Sequence, residues 1–166
     1  DTLLNCGTEG LEALINDTLV WIEDDSCPLE ALQLSHQDSI TPFCEGTFVL
    51  QRTFEAVDGC GNAAFAVWTV EVVDTIAPSF VDWPEDLTLG CTDTIPAYDS
   101  TAYVAVDGCS DVVVWLEGDS VVEGECAANY DIVRTVGAMD VCGNMAWHQR
   151  LIAVRDTLSP QLVMTP

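Results

Sequence analysis

The chain has 166 residues, 49% of them apolar and five of them Trp, which suits a packed core and excludes a disordered segment. Its 28 acidic residues face 4 Arg and no Lys, so the net charge is −24. That excludes nucleic acid and anionic membrane surfaces as partners and makes cations the natural ones, although a solvated acidic surface has the same composition.

The strand signals run in chain order, β-branched and aromatic segments separated by turn residues. After a helical turn near "GLEAL" (10–14) come "TLVWIE" (18–23), "FVLQRTFEAV" (48–57) and "FAVWTVEVV" (65–73). Then come "YVAV" (103–106), "VVVWLE" (112–117), "YDIVRTVGAM" (130–139) and "WHQRLIAV" (147–154). Short strands at this spacing, with no sustained helical period, predict an antiparallel sandwich. Alternation places Phe48, Leu50, Phe54 and Ala56 on one core face, and Tyr130, Ile132, Val136 and Ala138 on its counterpart. Arg52 and Arg134 share those faces, so each is expected near a strand end, paired to a carboxylate or to backbone carbonyls.

Eight Cys lack any C-x-x-C pair and have only His36 and His148 for company, a poor zinc set and a good disulfide set. That points outside the cytosol. Cys27, Cys44 and Cys60 recur at one constant offset as Cys109, Cys126 and Cys142, while Cys6 recurs at a slightly larger offset as Cys91. The constant offset also carries Asp74 and Pro78 of "VVDTIAP" onto Asp156 and Pro160 of "AVRDTLSP". The expected organisation is a first repeat lacking its opening strand (1–76), a complete repeat (77–158) and the opening strand of a third (159–166), cut from a longer array. Such a strand could also be donated to a neighbour. No run reaches the length of a membrane span and no signal peptide opens the chain, so a mature or excised segment without membrane insertion is expected.

"LQRTFEAVDGCGNAAFAVWTVEVVDTIAPSF" and "IVRTVGAMDVCGNMAWHQRLIAVRDTLSP" resemble the HYR-type immunoglobulin-like repeats of giant bacterial surface proteins, above all the four-cysteine repeats in adhesins of gliding Bacteroidetes. The order Arg-Thr, Asp-x-Cys-Gly-Asn, Asp-Thr-x-x-Pro carries the resemblance over essentially the whole chain. The aromatic that usually follows Arg-Thr is Phe54 in one copy and Val136 in the other. The implied fold is all-β, tandem immunoglobulin-like antiparallel β-sandwich repeats of about 82 residues with two disulfides each. The implied role is a non-catalytic extracellular, cell-surface stalk or adhesive filament. Its partners would be neighbouring repeats and surface glycans or a host or substrate surface.

Sequence leaves three pairings open for four cysteines. In an immunoglobulin-like topology the first and third cysteines of a repeat lie at one end and the second and fourth at the other, which implies Cys6–Cys44, Cys27–Cys60, Cys91–Cys126 and Cys109–Cys142. Loops of this size contribute roughly 4 kcal/mol per bridge on the chain-entropy model.

Asp74, Asp107, Asp140 and Asn144 are expected to meet at the joint between repeats, a set of hard oxygen donors suited to Ca²⁺, with no organic cofactor. Asp25, Asp58 and Asn62 form the equivalent turn of the first repeat. Ordinary turn chemistry explains the same residues, since Asp-Gly and Gly-Asn favour hairpin turns and Asp74 can cap amides before Pro78. Glu123 and Glu125 read as solvated face. The Asp-Ser/Thr motifs ending in Thr2, Thr18, Ser39, Thr75, Thr94, Ser100, Ser120 and Thr157 resemble the O-glycosylation signal of Bacteroidetes, again with turn chemistry as the plain alternative. A carbohydrate- or protein-binding immunoglobulin-like module is the second functional reading, favoured if Trp21, Trp83, Trp115 or Trp147 form an exposed cluster. No nucleophile with a base, phosphate loop or zinc signature supports an enzyme.

Overall fold

In a computed structural model, which describes residues 2–16 and 32–164, the chain is all-β. It divides into two compact units, Asp1–Ile76 with Gly108–Ser110, and Ala77–Asp107 with Asp111–Pro166.

In the first unit β1 (Thr2–Asn5), β2 (Gln33–Pro42), β3 (Phe48–Val57) and β4 (Ala63–Val73) form one sheet in the order β1-β4-β3-β2. The β1–β4 pair is parallel and the others are antiparallel. The six-residue helix α1 (Leu11–Asn16) fills the place of the helical turn read at "GLEAL". Val70, Val72 and Leu50 make the core, with Leu4, Leu11, Ile15 and Trp68 against it. Each branched side chain buried here contributes about 1.5–3 kcal/mol.

The second unit repeats this order. After β5 (Ser79–Asp82), β6 (Leu87–Gly90) pairs in parallel with β10 (Met145–Arg155), which pairs with β9 (Tyr130–Asp140), which pairs with β8 (Val112–Glu123). Leu89 faces Val154 just as Leu4 faces Val72, so the sequence repeat is a repeat of strand register. A ribbon of β5 and β7 (Val104–Val106) meets this sheet at His148, whose ring sits 4.5 Å from Trp83 and 5.6 Å from Phe80. Ile132, Val136, Ala138, Ile152, Ala153 and Val154 are buried apolar side chains of the sheet. Leu50 and Phe54 occupy the corresponding face of β3, as alternation predicts.

Candidate functional site

The most ordered chemistry in each unit is buried and identical in kind. Arg52, 6% exposed, donates from Nε and Nη2 to the two carboxylate oxygens of Asp38 at 2.7 and 2.8 Å, and from Nη1 to the Ile15 carbonyl at 2.9 Å. Arg134, 4% exposed, does the same with Asp119 at 2.9 and 2.8 Å and with the Pro96 carbonyl at 3.0 Å. The guanidinium beside each Asp holds its carboxyl below the usual range against the opposing cost of burial, and the carboxylate raises each Arg in turn. Both Arg lie mid-strand, which corrects the expectation of a strand end: a bidentate carboxylate and a carbonyl satisfy the planar donor face, so the head group need not reach water.

In the sequence Asp38 and Asp119 stand out only as parts of Asp-Ser motifs. The interval between them is one residue shorter than the cysteine offset, because the loop before β9 is one residue longer than the loop before β3, and this hides them from a fixed shift. An isolated Asp inside a strand paired with an Arg-bearing strand was the available signal.

The Asp-x-Cys-Gly-Asn turns are held by their own carboxylates. Asp58 accepts from the Cys60 and Asn62 amides at 2.8 Å and from Asn62 Nδ2 at 2.7 Å. The Asn62 amide group, then its backbone, holds Asp58 below the usual carboxylate range. Asp140 accepts from the Asn144 amide and Nδ2, both at 2.8 Å, and is 3% exposed. Gly61 and Gly143 take φ of 89° and 91°, the left-handed conformation that makes Gly the economical residue there. Asp74 accepts from the Ile76 amide at 3.1 Å and Asp156 accepts from the Leu158 amide at 3.1 Å, the cap that turn chemistry predicts.

Within the second unit, Asp107 and Asp140 also bring a carboxylate oxygen each to within 4.8 Å of one another. With the Asn144 side chain fixed on Asp140, this donor set is all oxygen and acidic, which fits a hard cation such as Ca²⁺. Asp25 lies outside the described residues. Glu123 and Glu125 are exposed, as expected of a solvated face.

The cysteines depart from the expected pairing. Cys6 is bonded to Cys109, across a sequence separation of 103, so neither Cys6–Cys44 nor Cys109–Cys142 forms. Cys44 and Cys142 are also disulfide-bonded. Cys91 and Cys126 are exposed free thiols, so Cys91–Cys126 does not form and the second unit does not close two bridges on itself. Cys27, and with it Cys27–Cys60, lies outside the described residues, while Cys60 is exposed in its turn. The physical reason is that topology specified an end and not a partner. Cys6 follows β1 with its amide on the Val73 carbonyl, and Cys44 precedes β3, so both do lie where β4 ends. The Gly108–Ser110 segment belongs to the first unit, so Cys109, the later counterpart of Cys27, reaches Cys6 there. Gly46, at φ 73°, admits the Cys109 backbone there, since an added Cβ would lie 2.8 Å from its carbonyl oxygen. Closing so long a loop contributes about 4.7 kcal/mol on the chain-entropy model, more than an internal bridge would.

Of the O-glycosylation candidates, Thr2, Ser39, Thr75, Thr94, Ser100, Ser120 and Thr157 are exposed, and Thr18 lies outside the described residues. Ser39 and Ser120 sit inside the edge strands β2 and β8, not in turns, because the preceding Asp is committed to Arg52 or Arg134.

The outer face of the second sheet carries aromatic side chains. Trp147 and Trp115 flank Gly137 in register on β10 and β8, and the Trp115 ring lies where a Gly137 Cβ would fall. Trp147 is 56% exposed and Trp83 43% exposed, while Trp21 lies outside the described residues. Each of the four Arg is engaged, Arg155 with Asp131 at 2.6 Å and Arg150 with the Glu85 carbonyl at 2.8 Å.

No protein-family model matches the sequence, and no curated protein matches it. Among solved structures the chain is similar to the protocadherin GammaB4 extracellular domain, at 16% identity over 64% of this chain and 20% of that one, with a TM-score of 0.34. It is also similar to human mucin-like protocadherin EC1-2, at 13% identity over 94% and 95% of the two chains, with a TM-score of 0.32. Human protocadherin-24 EC1-2 aligns at 15% identity over 96% and 94%, with a TM-score of 0.30. The chain thus spans a fifth of the first of these and nearly all of the other two.

Proposed function

We propose that this chain is a non-catalytic extracellular segment of a structural and adhesive array, built from tandem HYR-like immunoglobulin-type repeats of a bacterial cell-surface stalk or filament. The duplicated interior carries the reading: the same Arg–Asp–carbonyl clamp lies in the same register in both sheets, so the chain's few cations serve the scaffold. Disulfides support an oxidising, extracellular setting.

Calcium stiffening belongs to this proposal. The Asp107–Asp140 pair and the Asn144 amide are the donors of the second repeat, and Asp25, Asp58 and Asn62 are the first repeat's equivalents. Calcium bound there would neutralise carboxylates that otherwise repel. Calorimetry of the chain in Ca²⁺ and then in excess EDTA tests it: the melting temperature rises with Ca²⁺ and returns with chelator, and superimposable curves would remove the metal. O-glycosylation at the exposed Asp-Ser/Thr sites is part of the same reading, and an intact mass of native material equal to the bare polypeptide would remove that element. Electron microscopy of native material tests the array itself, with a surface fibre as the expected image.

A second reading, a binding module for neutral glycans, is favoured by Trp147 beside Trp115 on an exposed sheet face, since aromatic faces stack on sugar rings and the acidic surface disfavours anionic ligands. A glycan array probed with the chain and with Trp147→Ala tests it. Loss of a specific signal in the variant supports the module, and absence of any signal from the parent chain refutes it.

A further inference from the structure

The two sheets match on their core faces and differ on their outer ones. Trp115, Gly137 and Trp147 form one cross-strand row in the second sheet, and the counterpart row in the first is Ser35, Glu55 and Phe65. Two indoles over a glycine thus stand where the first repeat has a hydroxyl, a carboxylate and a phenyl ring.

A β-bulge supplies the second difference. The β8–β9 register shifts between Leu116 and Gly118, which makes Glu117 an extra residue, whereas β2 runs along β3 without a shift. Glu117 is exposed, and its Oε2 accepts from Trp115 Nε1 at 2.9 Å. That bond holds the indole over Gly137, where a Cβ would collide with the ring, and leaves Oε1 as an acceptor. The next row is Gly118, Thr135 and the exposed Gln149, whose Nε2 donates to Thr135 Oγ1 at 3.4 Å. A Cβ on Gly118 would meet only open space, so an aromatic row is bordered by a polar row with room above it.

Each group restricts the ligand. Indole faces take apolar C–H surface, an ionised carboxylate only accepts, and an amide both donates and accepts. A pyranose ring with equatorial substituents meets all three demands, because it has flat C–H faces and hydroxyl donors around its edge. Charge narrows the class: the chain carries −24 and each Arg is engaged, so a carboxylated or sulfated sugar would be repelled. Trp115 and Trp147 are two strands apart, about 10 Å between their backbones, so consecutive rings and not a single one reach both.

We infer that the outer face of the second sheet is a platform for a linear, neutral, β-linked glycan, with Trp147 and Trp115 stacking on its rings and Glu117 and Gln149 holding its hydroxyls. A β-linked ribbon is flat, as the sheet face is. The inference rests on the binding-module reading above and gives it a ligand class and two orienting side chains.

The test is calorimetric titration of the full chain with cellohexaose, with its curved isomer maltohexaose and an anionic galacturonate hexamer as controls. Binding of cellohexaose alone is expected, weakened at least about tenfold by Trp147→Ala and about fivefold by Glu117→Gln or Gln149→Ala, with circular dichroism unchanged. Equal affinity for the three sugars, or parent-like affinity in both polar variants, would overturn the inference and leave the module reading standing. So would silence with cellohexaose beside a Trp147-dependent signal on a glycan array. Silence in both assays removes both readings, and Trp147-dependent capture of an oligolysine peptide in place of sugar would make the face a cation site and overturn the inference.

Discussion

Arg134 and Asp119 face each other directly across the β8–β9 pair, and their two parallel N–H···O bonds, 2.9 and 2.8 Å, repeat those between Arg52 and Asp38 at 2.7 and 2.8 Å. Removing one partner leaves the other charge stranded. For a fully buried pair that costs about 3–5 kcal/mol, and water reaching the Asp side reduces it, so Asp119→Ala is expected to cost about 2–3 kcal/mol in urea unfolding. Arg134→Lys is expected to fall short of parent stability too, since an ammonium cannot serve both oxygens and the Pro96 carbonyl together. Parent-like denaturation midpoints for both variants would show that the clamp contributes specificity only.

Acid acts through two groups in sequence. His148, packed against Trp83 and Phe80, is pushed below its usual 6.5 by burial, against the opposing pull of Asp86. The unfolded chain therefore binds that proton first, and stability declines as pH falls below 6.5 toward the lower folded value. Asp38 and Asp119 have folded values below the ordinary 3.8, so their contribution is full above that pH and disappears as pH falls through the depressed values. His148→Gln is expected to flatten the first limb and leave the second, read as melting temperature against pH.

Gly137 is a packing residue. An added Cβ would fall on the Trp115 ring, so Gly137→Ala is expected to cost about 1–3 kcal/mol and to change Trp115 fluorescence. Gly118→Ala serves as the control, with open space at its Cβ and an expected cost within about 0.5 kcal/mol. Equal losses for the two would argue against the Trp115 contact.

Asp107→Asn separates calcium from turn chemistry, because the Asp140 carboxylate holds its own turn through Asn144 and that turn stays intact. Measured against its own metal-free melting temperature, the rise in Ca²⁺ is expected to be lost. At a hundredfold excess over the dissociation constant that rise corresponds to about 2.7 kcal/mol. A variant that responds to Ca²⁺ as the parent does would place the metal elsewhere.

Most of the strands, their core faces and the repeat period were legible along the chain, because a period of two places side chains on faces without reference to any partner, whereas the wholly exposed β2 was not read as a strand and "TLVWIE" (18–23) lies outside the described residues. Leu50, Phe54, Ile132 and Val136 are buried for that local reason. The Asp-Gly and Gly-Asn turns were legible likewise, since the carboxylate bonds only amides two and four residues on.

Partners distant in sequence were not legible in this way. Asp119 became the counter-ion of Arg134 through the register of two strands, offset by a loop one residue longer than its counterpart. Cys6 chose Cys109 over Cys44 because the Gly108–Ser110 segment packs into the first unit, and a linear pattern cannot say which cysteine arrives. Period and polarity by themselves determined an all-β, acidic, disulfide-bearing repeat. The long-range clamps and the disulfide partner were decided only when the chain closed in three dimensions, where geometry at strand ends ranks contacts that sequence leaves degenerate.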